Sequence, residues 1–190
     1  MYDSLLKRLN QLVLLTPPQQ RSLCRALTIV EHSKDDVLLE AGQVSDHIYF
    51  MLDGILRASH QHEEKDVTRW FCFEGHFAAA HFSFVYRQPS EDSLVLVTDA
   101  KLLALSHGAL QDLCRQDSVW INLNRHLLEH YYAVLLERVM AFQTQSAPER
   151  YQRLLTEHPD IETKVPLGHL ASYLGMSQET LSRLRRKRKT

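Results

Sequence analysis

Cysteine, glycine and proline are all scarce in this chain of 190 residues, at three, six and six. Cys24, Cys72 and Cys114 lie far apart, so the sequence carries neither a disulfide framework nor a CxxC metal or redox motif. Three scattered thiols also cannot furnish the ligands of an iron–sulfur cluster. No apolar run approaches the ~20 residues that cross a bilayer. The opening stretch MYDSLLKRLNQLVLLTPP holds only the short apolar segment Leu12–Leu15 and no small-residue cleavage pattern, so a signal peptide is not expected. These absences predict a cytoplasmic protein without a membrane partner. What remains is an ordinary globular composition, 44% hydrophobic and 24% charged.

The formal charge of −1 conceals an asymmetry. Residues 1–150 hold 14 Lys/Arg against 19 Asp/Glu, whereas residues 151–190 hold 8 against 4. A small basic end on an acidic body is a footprint of nucleic-acid binding, weak when taken alone.

Leucines at helical spacing (Leu5, Leu6, Leu9, Leu12) predict a helix near the start, and a second amphipathic stretch follows Pro17-Pro18. From about 30 to 105 the texture changes to short apolar runs divided by turn signals: VLLEAG, HIYFMLDG, ILRASH, VTRWFCFEG, SLVLVTD and KLLALS. Alternation with β-branched and aromatic residues, broken at Gly42, Gly54 and Gly75, predicts many short strands in a barrel or sandwich. From Ser118 to about Gln145 neither Gly nor Pro interrupts a long helix. It carries two apolar stripes. Trp120, Leu123, Leu127, Tyr131 and Val134 are expected to cover the strands. Ile121, Leu128, Tyr132, Leu135, Val139 and Phe142 then need another partner, and a symmetric dimer is the economical one. Ser146-Ala147-Pro148 breaks the pattern and starts a new helix. The division expected is 1–117, 118–145 and 146–190.

The segment VPLGHLASYLGMSQETLSRLRRK, residues 165–187, satisfies the steric demands of a helix-turn-helix. Ala171 is small where the helices cross, and Gly175 suits the turn's positive φ. Leu170, Leu174, Met176, Leu181 and Leu184 fall on one side of both helices. Ser177 is placed to cap the second helix, with Glu179 in its first turn. The outer face then presents Gln178, Glu179, Ser182 and Arg183, side chains suited to adenine, cytosine and guanine edges. The later Arg185, Arg186, Lys187, Arg188 and Lys189 are expected along the phosphate backbone.

Helical start, strand-rich middle, long helix and terminal hairpin together resemble the Crp/Fnr family of bacterial transcription regulators. EAGQVSDHIYFMLDGILRAS (40–59) resembles the family's β-roll, and ASYLGMSQETLSRLRRK its DNA-binding motif. The resemblance implies an α+β fold: an N-terminal β-roll like a cyclic-nucleotide-binding domain, a long dimerisation helix and a small C-terminal helix-turn-helix domain. It implies a homodimer on double-stranded DNA, with RNA polymerase and a small-molecule effector of unknown identity as candidate partners. The family's phosphate-binding cassette is altered, however. Ala79 and Ala80 stand where it has Gly and Glu, and Asp92-Ser93-Leu94 where it has Arg-Ser-Ala. A carboxylate beside a cyclic phosphate repels it, so cyclic AMP control is not expected. Arg87 lies close enough in sequence to be a substitute cation, and Phe77, Phe82, Phe84 and Tyr86 would make the cassette apolar, as filling or as pocket lining.

Eleven histidines raise a metal alternative. HLLEH, residues 126–130, has the spacing of an inverted zinc peptidase, and His126 and His130 would share a helix face. That chemistry needs a further ligand in a cleft, and this helix belongs to the expected dimer interface. His60 and His62 read as solvated, and His76 and His81 flank the cassette. No cofactor, metal or enzymatic activity is therefore expected. The competing functional reading is a cyclic-nucleotide or other small-ligand module whose basic tail meets a non-DNA partner.

Overall fold

The structure, a computed structural model, describes residues 2–189 apart from the side chain of Lys189. Helix α1 (Asp3–Asn10) buries Leu5 and Leu9. Helix α2 (Pro17–Ala26) begins at a capping box in which Thr16 N donates to Gln19 Oε1 at 2.8 Å. Eight strands follow: β1 (Leu27–His32), β2 (Val37–Leu39), β3 (His47–Asp53), β4 (Leu56–His62), β5 (Lys65–Cys72), β6 (Phe77–Ala78), β7 (Asp92–Leu96) and β8 (Ala100–Ser106). A short helix α3 (His81–Tyr86) separates β6 from β7.

The strands form two antiparallel four-stranded sheets, in the orders β1-β8-β3-β6 and β2-β7-β4-β5. Their inner faces share one core. Leu39, Leu56, Ala58, Leu94 and Leu96 from the second sheet meet Met51, Ala78 and Leu102 from the first. The alternation seen in sequence is the pleat: Leu56, Leu94, Leu96 and Leu102 are each at most 1% exposed. Gly54 turns β3 into β4 at φ +99°, and a Cβ there would stand 2.6 Å from Asp99 O, so a side chain is excluded twice over.

Helix α4 (His107–Gln116), capped by Ser106 Oγ, leads into α5 (Val119–Thr144), 26 residues long. Trp120 and Leu123 are buried against α1, α2, Phe50 and Leu103, with Leu127 packed beside them. Tyr131 accepts a hydrogen bond from Phe77 N at 2.8 Å. Val134, expected on this inward stripe, is 47% exposed. The last turns of α5 meet the C-terminal helices rather than the roll: Ala141 is buried and Arg138 lies over the Tyr173 ring at 4.3 Å.

Helix α6 (Ala147–Glu157) starts on a second capping box, Ser146 with Glu149. Helices α7 (Ile161–Lys164), α8 (Leu167–Leu174) and α9 (Gln178–Lys189) complete the described chain. Their core of Tyr151, Leu154, Leu155, Ile161, Val165, Leu170, Ala171, Leu174 and Leu181 also includes Ile55 and Val97 from the roll. The helical end is therefore seated on the second sheet. Thr68 N donates to Ser172 Oγ at 2.9 Å, and Phe71 meets Tyr173 with ring centroids 5.1 Å apart. Beside this contact, Arg57 on β4 is buried and forks onto Asp66 of β5. The guanidinium's hydrogen bonds hold the Asp66 carboxyl below the usual carboxylate range.

Candidate nucleic-acid interface and the packed β-roll

Helices α8 and α9 form a tight hairpin because each constrained position holds a residue that tolerates it. Ala171 is 1% exposed at the crossing, and Gly175 takes φ 67° while its N–H closes back onto Ser172 O at 3.1 Å. A Cβ on Gly175 would stand 2.8 Å from the Phe142 ring of α5, so the turn is also a close approach between elements. Ser177 Oγ accepts from Thr180 N at 3.2 Å, satisfying one of the orphan donors at the start of α9. Leu181 is completely buried, a contribution of about 1.5–3 kcal/mol that fixes the rotation of the helix about its axis.

That rotation sorts the polar residues of α9. Gln178, Glu179, Arg183, Arg186 and Lys187 are exposed, and Ser182 is half-buried. Gln178 lies over α8: a Cβ on Gly168 would stand 2.8 Å from its Nε2. The Glu179 carboxyl is held below its usual range first by its hydrogen bond with Ser177 and, more weakly, by Arg183. Arg185 and Arg188, expected along the phosphate backbone, have a partner within the chain. Arg185 is half-buried and Arg188 is exposed, and both bind Glu162 of α7. Sequence spacing already put them at i+4 and i+7 from Leu181, the signal that reading by composition passed over. Lys189, assigned to the same set, has its side chain outside the described residues.

The hairpin is held to α5 through aromatic and cationic contacts. Arg150 lies over the Phe142 ring at 4.6 Å and donates to Leu174 O, the last carbonyl of α8, at 2.8 Å. Burial lowers the pKa of Arg138, whose ring partners are Tyr173 and Phe142. Phe142, expected in a dimer interface, packs within its own chain as well. The rest of that stripe is bare: Ile121 is 57% exposed, Tyr132 63%, Leu135 58% and Val139 46%.

In the β-roll, the altered cassette residues Asp92 and Ser93 hydrogen-bond within the chain. Of the two cassette alanines, Ala80 is buried in the core between the sheets, with Trp70 and Tyr49 packed against that core, and Ala79 is half-buried. Asp92 accepts from Arg69 Nη1 at 2.9 Å and pairs with His60 Nδ1 at 3.1 Å, which ties β7 to β4 and β5. Ser93 Oγ accepts from Ala41 N. Arg87 donates to Ser45 O at 2.7 Å and to Asp46 Oδ1 at 2.8 Å. The four aromatic residues divide. Phe77 packs on Phe50 and Phe84 is buried, whereas Phe82 and Tyr86 meet at a tilt on the surface.

The histidines of HLLEH point to different partners. His126 meets Glu129 and Arg125, while His130 meets Arg8 of α1 at 2.9 Å. Among the described residues there is no group of three or more His, Cys, Asp or Glu side chains placed to hold a metal ion. Cys72 is buried, and burial pushes its thiol up to about 12. No helix among the described residues is long and apolar enough to cross a membrane.

Comparison with known proteins gives the same architecture. The cyclic nucleotide-binding domain family model matches residues 29–117. Comparison with curated proteins returns no match. Among solved structures, the fold is similar to a putative transcriptional regulator of the Crp/Fnr family from Eubacterium rectale, with a TM-score of 0.70 at 16% identity over 91% of this chain and 83% of that one. FixK2 from Bradyrhizobium japonicum gives 0.69 at 17% identity, over 85% and 83%. The c-di-GMP-responsive global regulator CLP from Xanthomonas campestris gives 0.67 at 16% identity, over 92% of each chain. Residues 29–117 are thus a β-roll of the cyclic nucleotide-binding domain type, in a chain that shares its fold with Crp/Fnr-type regulators along most of its length.

Proposed function

We propose that the chain is a homodimeric, sequence-specific DNA-binding transcription regulator of the Crp/Fnr type that is not controlled by cyclic AMP. The observation that carries the DNA reading is the outward face of α9. Leu181 anchors the helix, and Gln178, Glu179, Arg183, Arg186 and Lys187 are left exposed on it. Amide, carboxylate and guanidinium near the first half of a hairpin's second helix can reach base edges, and the later cations can reach phosphate. Dimerisation is supported by the bare stripe Ile121, Leu128, Tyr132, Leu135 and Val139, which recurs at the spacing of a helix–helix seam. Independence from cyclic AMP is supported by Asp92 and its partners Arg69 and His60, and by the packing of Ala80 into the core.

Selection of bound sites from a random duplex pool tests the whole reading. The expected product is a two-fold symmetric site with half-sites about one helical turn apart. Arg183→Ala is expected to relax base preference within each half-site, while Lys187→Ala weakens all sequences alike. A pool that yields no enriched sequence overturns the proposal, and calorimetric binding of cyclic AMP in the micromolar range overturns its second part.

A further inference from the structure

Glu162 lies where α7 meets α9, with 9% of its side chain exposed. Its Oε1 accepts from the Tyr151 hydroxyl of α6 and forms an ion pair with Arg185 Nε at 2.9 Å, while its Oε2 accepts from Arg188 Nη2. Burial first and Glu162 second push the Tyr151 phenol up to about 12, so the hydroxyl remains a donor near neutral pH. One carboxylate paired with two guanidiniums and accepting from a phenol reproduces what a nucleic-acid phosphate would offer those arginines. Arg185 and Arg188 are three residues apart and share a side of the helix, so both can be held at once.

We infer that Glu162 is a specificity-determining residue, a built-in phosphate substitute that withholds Arg185 and Arg188 from DNA. The inference rests on the DNA reading above. Sequence-independent affinity grows with the number of phosphates that cations neutralise, and the logarithm of the binding constant falls with log salt at about 0.9 per contact. Withholding two cations lowers that affinity for every sequence. Base readout by Arg183 and Gln178 is untouched, because those side chains occupy another side of α9. The ratio of specific to non-specific binding rises accordingly. The contrast between an exposed Arg183 and a tied Arg185 is then a division of labour, with the outward residues contacting DNA and the tied ones anchoring the helix.

The test is Glu162→Gln in the full chain, which keeps the shape and an acceptor for Tyr151 but removes the charge. Binding is measured across a salt series on the selected duplex and on a random-sequence duplex. For the random duplex the salt slope is expected to steepen by about 1–2, with affinity near 0.1 M salt rising about tenfold or more. The selected duplex gains less, so the specificity ratio falls. An unchanged slope, or equal loss on both duplexes, overturns the inference and leaves Glu162 a structural anchor. Arg185→Gln combined with Arg188→Gln gives an independent readout should Glu162→Gln fold poorly. It is expected to keep the slope of the unaltered chain, and a slope shallower by about 2 would place both arginines on phosphates and overturn the inference. Failure of the unaltered chain to bind any duplex at low salt is a different outcome: it removes the DNA reading, and this inference with it.

Discussion

Trp120 and Ile121 are neighbours on α5, yet one is 3% exposed and the other 57%. The contrast extends along the helix. Trp120, Leu123, Leu127 and Tyr131 descend one side into the β-roll and the N-terminal helices. Ile121, Leu128, Tyr132, Leu135 and Val139 descend the other and remain 39–63% exposed. Both stripes have the composition of core. Periodicity shows that a face needs covering, and only the chain's own geometry separates a face covered from within from one awaiting a partner.

The largest effect in the comparison belongs to the inward stripe. Trp120→Ala is expected to cost about 3–5 kcal/mol of unfolding free energy, because the surrounding leucines cannot collapse into the volume it leaves. Urea denaturation followed by circular dichroism reads that loss, and a cost below 1 kcal/mol would mean that the inward stripe is not packed as described. Glutamates on the outward stripe should behave in the opposite way. Leu128→Glu combined with Leu135→Glu is expected to leave the protomer's own stability nearly unchanged, within about 0.5 kcal/mol per exposed site. The same pair should raise the dimer dissociation constant about 100-fold, or roughly 3 kcal/mol, as measured by sedimentation over a concentration series. A variant that stays dimeric would show that something else covers α5, and one that unfolds as a monomer would erase the difference between the stripes.

How far the sequence could be read follows from the range of the interactions involved. Six of the strands, β2 to β5, β7 and β8, were legible because alternation and glycine breaks are local, and the structure buries Leu56, Leu94, Leu96 and Leu102 from those runs. Both ends of the hairpin's turn were legible for the same reason: Gly175 and Ser177 act on backbone groups a few residues away. What was not legible lies where distant elements meet. Nothing near Ile55 or Val97 announces that they join the core of the C-terminal helices, which binds the helical end to the roll. Val134 matched the inward stripe in spacing, but α5 has by then run past the roll, so it remains exposed. Arg185 and Arg188 looked like two more cations in a basic run. Their turn toward Glu162 depends on a helix of four residues, α7, that the pattern did not reveal. The cassette was legible as altered at Ala79, Ala80 and Asp92, but not the use of Asp92 to bind Arg69 and His60 across three strands.

Tyr131 stands at the edge between the two stripes and offers the finest test of where one ends. Its hydroxyl accepts from Phe77 N, and burial pushes the phenol from its ordinary value of 10 up to about 12. Folding therefore favours the neutral phenol. The stability this residue contributes is intact below its unfolded pKa and is lost as the pH rises through the folded one, between 10 and about 12. Tyr131→Phe removes the acceptor of Phe77 N and is expected to cost about 1 kcal/mol near neutral pH. It should also flatten part of the alkaline decline, since one phenol no longer has to be kept neutral in the fold. The dimer dissociation constant should not move, because the hydroxyl is directed at the roll. A change in that constant comparable to the change in protomer stability would place Tyr131 in both stripes and move their boundary by one helical position.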